Sequence, residues 1–478
     1  MVISILNILL VGKLKKKKNE LKEKKNMLLS LSLFLNLFTL TLFGPVKTGI
    51  RISKLCLLLI LLDLIIDNNY ILGEIILLDG NILINKMILF EEIIIIIFTF
   101  FILTIINNFS IKIELILILI TNILGMFFLL SSYDFFIFLI SWELYNFSFY
   151  IIISYSHSNH NALSAALKYF LLSALSTAIL LYSLTIIYSE IGNLHYENIL
   201  IIMNNYINNN LKFGFFLFSI SLLFKLSAVP FHYWAPDLYD NQPTRITIWI
   251  AILPKLLIFF IIINLINILH IHQSLFFILG FLSIIFGALG LTQQYKIKRF
   301  LTYSAITNVG YFLLSYTNIT TLIINIIIYS LTTLNIFAIL IFLEKQYNRE
   351  ITSLSQLKGL FQFNPILSII FSISIFSLAG IPPLAGFFGK LLLLEHYINY
   401  YSGILFLIII LSIVISTSNY IKLLYNINFN KDNFINSQHF INFNSYGLNF
   451  IITFNTLAIL TFILQPYEIM MMTINFLN

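Results

Sequence analysis

Charge is what this sequence most lacks. Of 478 residues, 10% are Asp, Glu, Lys or Arg and 59% are hydrophobic. A soluble domain carries about 25% charged residues, so a water-soluble enzyme and a disordered chain are both excluded. Cysteine is nearly absent as well. Cys56 stands alone, which excludes an intrachain disulfide and a four-thiolate iron–sulfur cluster. The eight histidines do not gather. His157 and His160 sit in a polar stretch with no acid or thiol beside them, so no metal site is expected. No G-x-G-x-x-G or Walker A sequence occurs, and no nucleotide site is indicated. Strict apolar–polar alternation, the mark of a membrane β-barrel strand, is missing from runs such as Ile93–Ile106.

What is present is a succession of apolar runs close to the ~20 residues that cross a hydrocarbon core. They fall near 27–44, 52–67, 84–106, 111–131, 134–154, 162–188, 212–236, 243–268, 274–293, 299–317, 320–344, 365–394, 401–426 and 447–467. The expected fold is an all-α polytopic membrane protein with about fourteen transmembrane helices. The net charge of +7 is concentrated in residues 13–25, where eight Lys and two Glu give a local +6. That run reads as a solvated segment at anionic headgroups, and the rest of the chain keeps no basic face for nucleic acid. With alternating spans, one set of connections collects thirteen Lys and Arg, among them Arg245, Lys296, Lys298 and Arg299, against Lys86 and Lys212 on the other. By the positive-inside rule the basic set faces the matrix or cytoplasm. The same alternation puts the run 13–25 on the opposite side.

Four lysines escape this sorting. Lys168, Lys225, Lys255 and Lys390 fall inside spans, and Glu143 falls inside the fifth. A charge at the bilayer centre costs about 2.5–3.5 kcal/mol on insertion scales and marks function by default. Lys225 sits in FKLSAVPFHYWAP, with Pro230 five residues on and Pro236 eleven on. Lys390 sits in SLAGIPPLAGFFGK, with Gly380, Pro382, Pro383 and Gly386. Proline removes a helical hydrogen bond and clashes with the preceding turn, so both helices are expected to break beside their lysine and admit water. Lys255 follows Pro254. His232 follows Lys225 by seven residues, which puts both on one helix face if the break is modest, and imidazole there can relay a proton. Glu91 and Glu92 lie apart from these groups and are expected to meet a partner subunit.

The interrupted runs are the seventh and the twelfth. An odd repeat length inverts the second unit, so two inverted five-helix repeats are expected, 110–268 and 274–430, each with a broken helix. A basic segment, 1–26, and three helices in 27–106 precede them; a C-terminal helix in 431–478 follows.

FKLSAVPFHYWAPDLYDNQPT, LPKLL, YKIKRFLTYSAITNVGYFLL and SLAGIPPLAGFFGK together resemble the antiporter-like, proton-translocating subunits of respiratory complex I. SWELYNFSFYIII and ALKYFLLSALSTAILLYSLTIIY resemble the branch nearest the quinone-side helices. The resemblance implies roles. Glu143 would pair with Lys225, Lys168 would modulate that pair, Lys255 would connect the halves, Lys390 would be the twelfth-helix lysine, and His232 would lie on the central hydrophilic axis. Ser164 stands where relatives can carry an acid, and Asn308 where a histidine is often found. The resemblance also implies a subunit without a redox centre or cofactor of its own, with FMN, iron–sulfur clusters and ubiquinone held by other subunits. Its partners would be other membrane-arm subunits, including another antiporter-like subunit (chain 4) and the small quinone-side helical subunits, besides membrane lipids. The AT-rich residue usage (Ile, Asn, Phe, Lys) favours a multi-pass place in the mitochondrial inner membrane. Two further classes fit the same residues: a stand-alone or multisubunit cation/proton antiporter, and a structural membrane spacer with static ion pairs.

Overall fold

The computed structural model describes residues 46–70, 74–77, 80–106, 113–156, 159–205, 208–269, 272–400, 403–429, 446–462 and 470–471. The basic run 13–25, the apolar run 27–44 and His157 lie outside the described residues. Among the described residues the helices of more than one or two turns are, in chain order, α1 (Val46–Tyr70), α2 (Lys86–Ile106), α3 (Ile113–Leu130), α4 (Phe135–Ser154), α5 (His160–Ile191), α6 (Tyr196–Asn205), α7 (Asn209–Lys225), α8 (Trp234–Asn241), α9 (Thr244–Asn264), α10 (Gln273–Thr292), α11 (Ile297–Leu314), α12 (Ile319–Tyr347), α13 (Pro365–Ala379), α14 (Ala385–Tyr400), α15 (Gly403–Asn428) and α16 (Tyr446–Thr461). They coincide with the apolar runs from 52–67 onward. Among the described residues, seven helices are long and apolar enough to cross a membrane. Among the described residues, the short α6, the brief helical turns Leu354–Leu357 and Leu360–Phe363, and an antiparallel hairpin of Ile75–Leu77 with Ile82–Ile84 carry no apolar-run signal.

Local chemistry sets the boundaries. Asp134 and Asn159 accept hydrogen bonds from the first turns of α4 and α5, and Gly192 closes α5 in a left-handed conformation, φ 72°, as N-caps and C-caps do. Packing then follows the polarity of each helix face. α9 is apolar all round, and its most apolar window is wholly buried, as expected of a core helix. It touches α2, α3 and α12. α5 is only 33% buried in its apolar window, with Leu167, Leu171 and Leu175 turned outward where lipid replaces protein. Small residues bring α10 and α11 together: a Cβ on Gly287 would lie 2.8 Å from the backbone N of Thr307.

Polar contacts at the connections sort into two ends. At one end Asp240, in the last turn of α8, accepts from Lys296 at 2.8 Å and Arg299 at 2.9 Å. There too Lys298 donates to the Gln242 carbonyl at 2.6 Å, Thr244 donates to Glu344, and Ser156 donates to Gln242. At the other end His272 meets the Lys212 carbonyl at 2.7 Å, Tyr316 donates to the Ile266 carbonyl at 3.2 Å, and Asn264 donates to Glu91 at 2.8 Å. The first end carries Arg245 and the 296–299 cations and is the basic end.

Candidate functional site

Both expected helix breaks are present. α7 stops at Lys225; Ser227 takes φ 59°, and turns lead to α8 at Trp234. α13 stops at Ala379 with Gly380 at φ 81°, and α14 begins at Ala385. Glycine serves at Gly380 because a left-handed residue with a Cβ is strained. A helix end leaves unsatisfied carbonyls. At the second break these are answered by Lys390, whose Nζ donates to Leu378 O at 2.9 Å and Ala379 O at 2.7 Å. An ammonium at a helix C-terminus also meets the negative end of the helix dipole.

Lys225 is 4% exposed. Its Nζ donates to Asn146 Oδ1 at 2.9 Å and to Tyr169 OH at 3.3 Å, and it lies over the rings of Tyr169 and Tyr150 at 5.2 and 5.5 Å. The expected direct pair with Glu143 is not formed: among the described residues no ion pair joins them, and the two interact only through space. Glu143 and Asn146 are three residues apart on one helix, hence on neighbouring turns, and the lysine reaches the inner of the two. Lys255, 5% exposed on α9, donates to Tyr329 OH at 2.7 Å, with the Tyr329 and Tyr239 rings 4.9 and 5.8 Å from its Nζ.

Tyr329 also lines a cavity of about 30 Å³ together with Asn308, Tyr311, Asn325, Thr332 and Lys390. That is room for a water or two, since one needs about 10–15 Å³. Lys255, Tyr329, the cavity and Lys390 therefore stand in sequence. α8 touches both lysine environments of the first half: Trp234 packs on Tyr169 at 4.9 Å, and Tyr239 faces Lys255.

Lys168 is not enclosed. Its side chain is 48% exposed and pairs with Asp237; Ser164, one turn before it, is exposed too. Lys168, His232, Asp237, Arg299 and Tyr303 line a cleft of about 170 Å³ at the basic end. His232 is 9% exposed, with its Nδ1 unpartnered. The expectation that His232 shares a helix face with Lys225 fails, because the helix ends at Lys225 and the intervening turns carry His232 to the cleft. Asn146, Tyr169, Tyr329, Asp237 and Arg299 are the contributors that motif reading passed over. Asn146 is a polar residue in an apolar run, a signal the sequence did contain; Tyr169 and Tyr329 resemble any core tyrosine until the fold brings a lysine to them.

Ammonium groups enclosed within and beside apolar helices, two of them at helix interruptions, with hydroxyl, amide and carbonyl partners, define a polytopic membrane protein of the ion- or proton-handling class. The family model described as "NADH:quinone oxidoreductase/Mrp antiporter, TM" matches residues 132–416. A Pelagibacter ubique protein named NADH-quinone oxidoreductase subunit N is 34% identical over 368 residues, 75% of this chain and 77% of its own length. A Rhizopus oryzae protein named NADH-ubiquinone oxidoreductase chain 2 is 36% identical over 343 residues, 68% of this chain and 65% of its own length. In fold, the chain is similar to one from respiratory complex I of Thermus thermophilus with bound Aureothin (TM-score 0.79, 23% identity, 93% of this chain and 98% of that one). It is also similar to one from an archaeal membrane-bound sulfane sulfur reductase (TM-score 0.82, 16% identity, 93% and 94%). The chain belongs to the NADH:quinone oxidoreductase/Mrp antiporter family, as a complex I antiporter-like membrane subunit.

Proposed function

We propose that this chain is a proton-translocating subunit of the membrane arm of respiratory complex I, coupling NADH:ubiquinone electron transfer to proton pumping. It works as chain 2 of that assembly in the mitochondrial inner membrane. Glu143 and Lys225 begin the lateral route, Lys255 connects the halves through Tyr329, and Lys390 ends it. The cleft holding Lys168 and His232 serves proton entry from the inner side. The architecture we infer is fourteen transmembrane helices with two inverted five-helix repeats, each holding one broken helix. FMN, iron–sulfur clusters and ubiquinone belong to other subunits, and a neighbouring antiporter-like subunit (chain 4) and small quinone-side helical subunits flank this one.

One observation carries the reading. Lys225 and Lys255 are buried, and Lys390 partly buried, on neutral partners: an amide and a phenol, a phenol, and two carbonyls. A static spacer would match each buried cation with a carboxylate, because an unpaired buried charge costs several kcal/mol. Neutral partners can hold a lysine in either protonation state.

Reconstituting the complex with Lys225→Met or Glu143→Gln is expected to lower protons pumped per electron severalfold. Lys225→Arg is expected to do the same, since arginine does not release its proton. Wild-type pumping with either of the first two would remove both residues from the mechanism. Asn146→Asp gives Lys225 a direct counter-ion. A hydrogen bond to a charged group contributes about 1.5–3 kcal/mol, so trapping the proton there is expected to slow coupled turnover about tenfold or more. Dye-monitored pumping measures this, and unchanged turnover would remove Asn146 from the route. The family also includes Mrp antiporters; cation/proton exchange by the purified chain in liposomes would favour that second reading.

A further inference from the structure

Among the described residues Glu91 is the only carboxyl fully enclosed by the chain, 0% exposed. The expected pairing with a partner subunit is therefore closed to it, although the adjacent Glu92 is half-buried. Glu91 Oε2 accepts from Asn264 Nδ2 at 2.8 Å, Oε1 has no partner, and among the described residues no cation pairs with it. A carboxylate with one amide donor is expensive in such a place, so the group rests as the neutral acid. Glutamine would fill a purely structural position at no such cost.

Its location is specific. Glu91 is the sixth residue of α2, and Asn264 is the last of α9, at the end opposite the basic cluster. Lys255 lies nine residues earlier on the same α9 rod, about 14 Å along its axis. The residues between, 256–263, are all apolar, so the two groups share an electric field and not a proton wire along that helix.

We propose that Glu91 is an additional proton-holding group at the outer end of this subunit, outside both five-helix units. When Lys255 takes a positive charge, the Oε1–H bond of Glu91 breaks and the proton passes to outer water. The carboxylate keeps the Asn264 hydrogen bond, and the acid re-forms when Lys255 empties. No electron moves. The inference rests on the function proposed above.

The test is infrared difference spectroscopy of the reconstituted complex during turnover, with proton pumping measured alongside. A carbonyl band of a protonated carboxyl is expected to change during turnover and to be absent in Glu91→Gln, with pumping per electron at least twofold lower. Should Glu91→Gln fail to assemble, Asn264→Ala keeps the acid and removes its donor; the same band should then move, and pumping should fall. A complete band and wild-type pumping in Glu91→Gln, or no response to Asn264→Ala, would overturn the assignment. Lys225→Met, run in parallel, separates the outcomes: pumping lost there but intact in Glu91→Gln defeats only this inference, while pumping intact in both defeats the proposed function.

Discussion

Lys255→Met is expected to reduce proton pumping by at least tenfold under the role proposed above. Methionine keeps the length and apolar stem of lysine and removes the ammonium, so any loss reports on charge and not on volume. Lys255 lies on α9, the helix that packs against both α3 and α12, and its hydrogen bond to Tyr329 leads to the cavity shared with Lys390. Removing it would cut the lateral route proposed above. Tyr329→Phe is the milder companion: the ring beneath the ammonium stays and the hydroxyl goes, so pumping is expected to fall severalfold and not to vanish. Proton flux into proteoliposomes per NADH oxidised measures both. If Lys255→Met pumped normally, the lateral route through α9 would be wrong. A spacer with static charges predicts that outcome, since trading a buried charge for an apolar residue is often neutral or stabilising.

The second large effect is expected from Gly386→Ala. A Cβ at this position would lie 1.7 Å from the carbonyl oxygen of Ser377 and 2.7 Å from its carbon. Backbone in the last turn of α13 cannot yield as a flexible side chain can, so α14 must move away from α13. Overpacking of this kind costs about 1–3 kcal/mol, occasionally more. The displacement also draws Lys390 off the Leu378 and Ala379 carbonyls, leaving helix-end acceptors unsatisfied. Assembled complex is expected to fall severalfold on native gels, and what remains should pump poorly. Gly403→Ala is the control: a Cβ there meets nothing within 4 Å, and assembly should be unchanged. Equal assembly in the two variants would show that close approach at Gly386 is not required.

The break after α13 shows how far a sequence reveals such a feature. Gly380-Ile-Pro-Pro forces α13 to stop wherever it is placed, because proline and left-handed glycine act through their own backbone. Lys390 answering the carbonyls of that stop is a contact across eleven and twelve residues, and no local rule specifies it. The pair Glu143 and Lys225 shows the same limit. Each could be marked as a costly charge in an apolar run, yet the partner Lys225 meets is Asn146, one turn further along α4. Which turn of one helix faces which turn of another depends on the rotation and depth at which they pack. Lys168 is the converse: its run looks like the interior of a span, but α5 keeps one face against lipid, and the lysine stands at the rim of a cleft.

The sequence by itself determined the membrane-spanning helical class, the position of the long apolar helices among the described residues and the two breaks, because length, apolarity and proline act locally and need no partner. Only the tertiary structure decided that Tyr329 joins Lys255 to the cavity at Lys390, that His232 turns to the cleft with Lys168, and that Glu91 is sealed against α9. Those depend on distances between residues far apart in the chain, which packing alone sets.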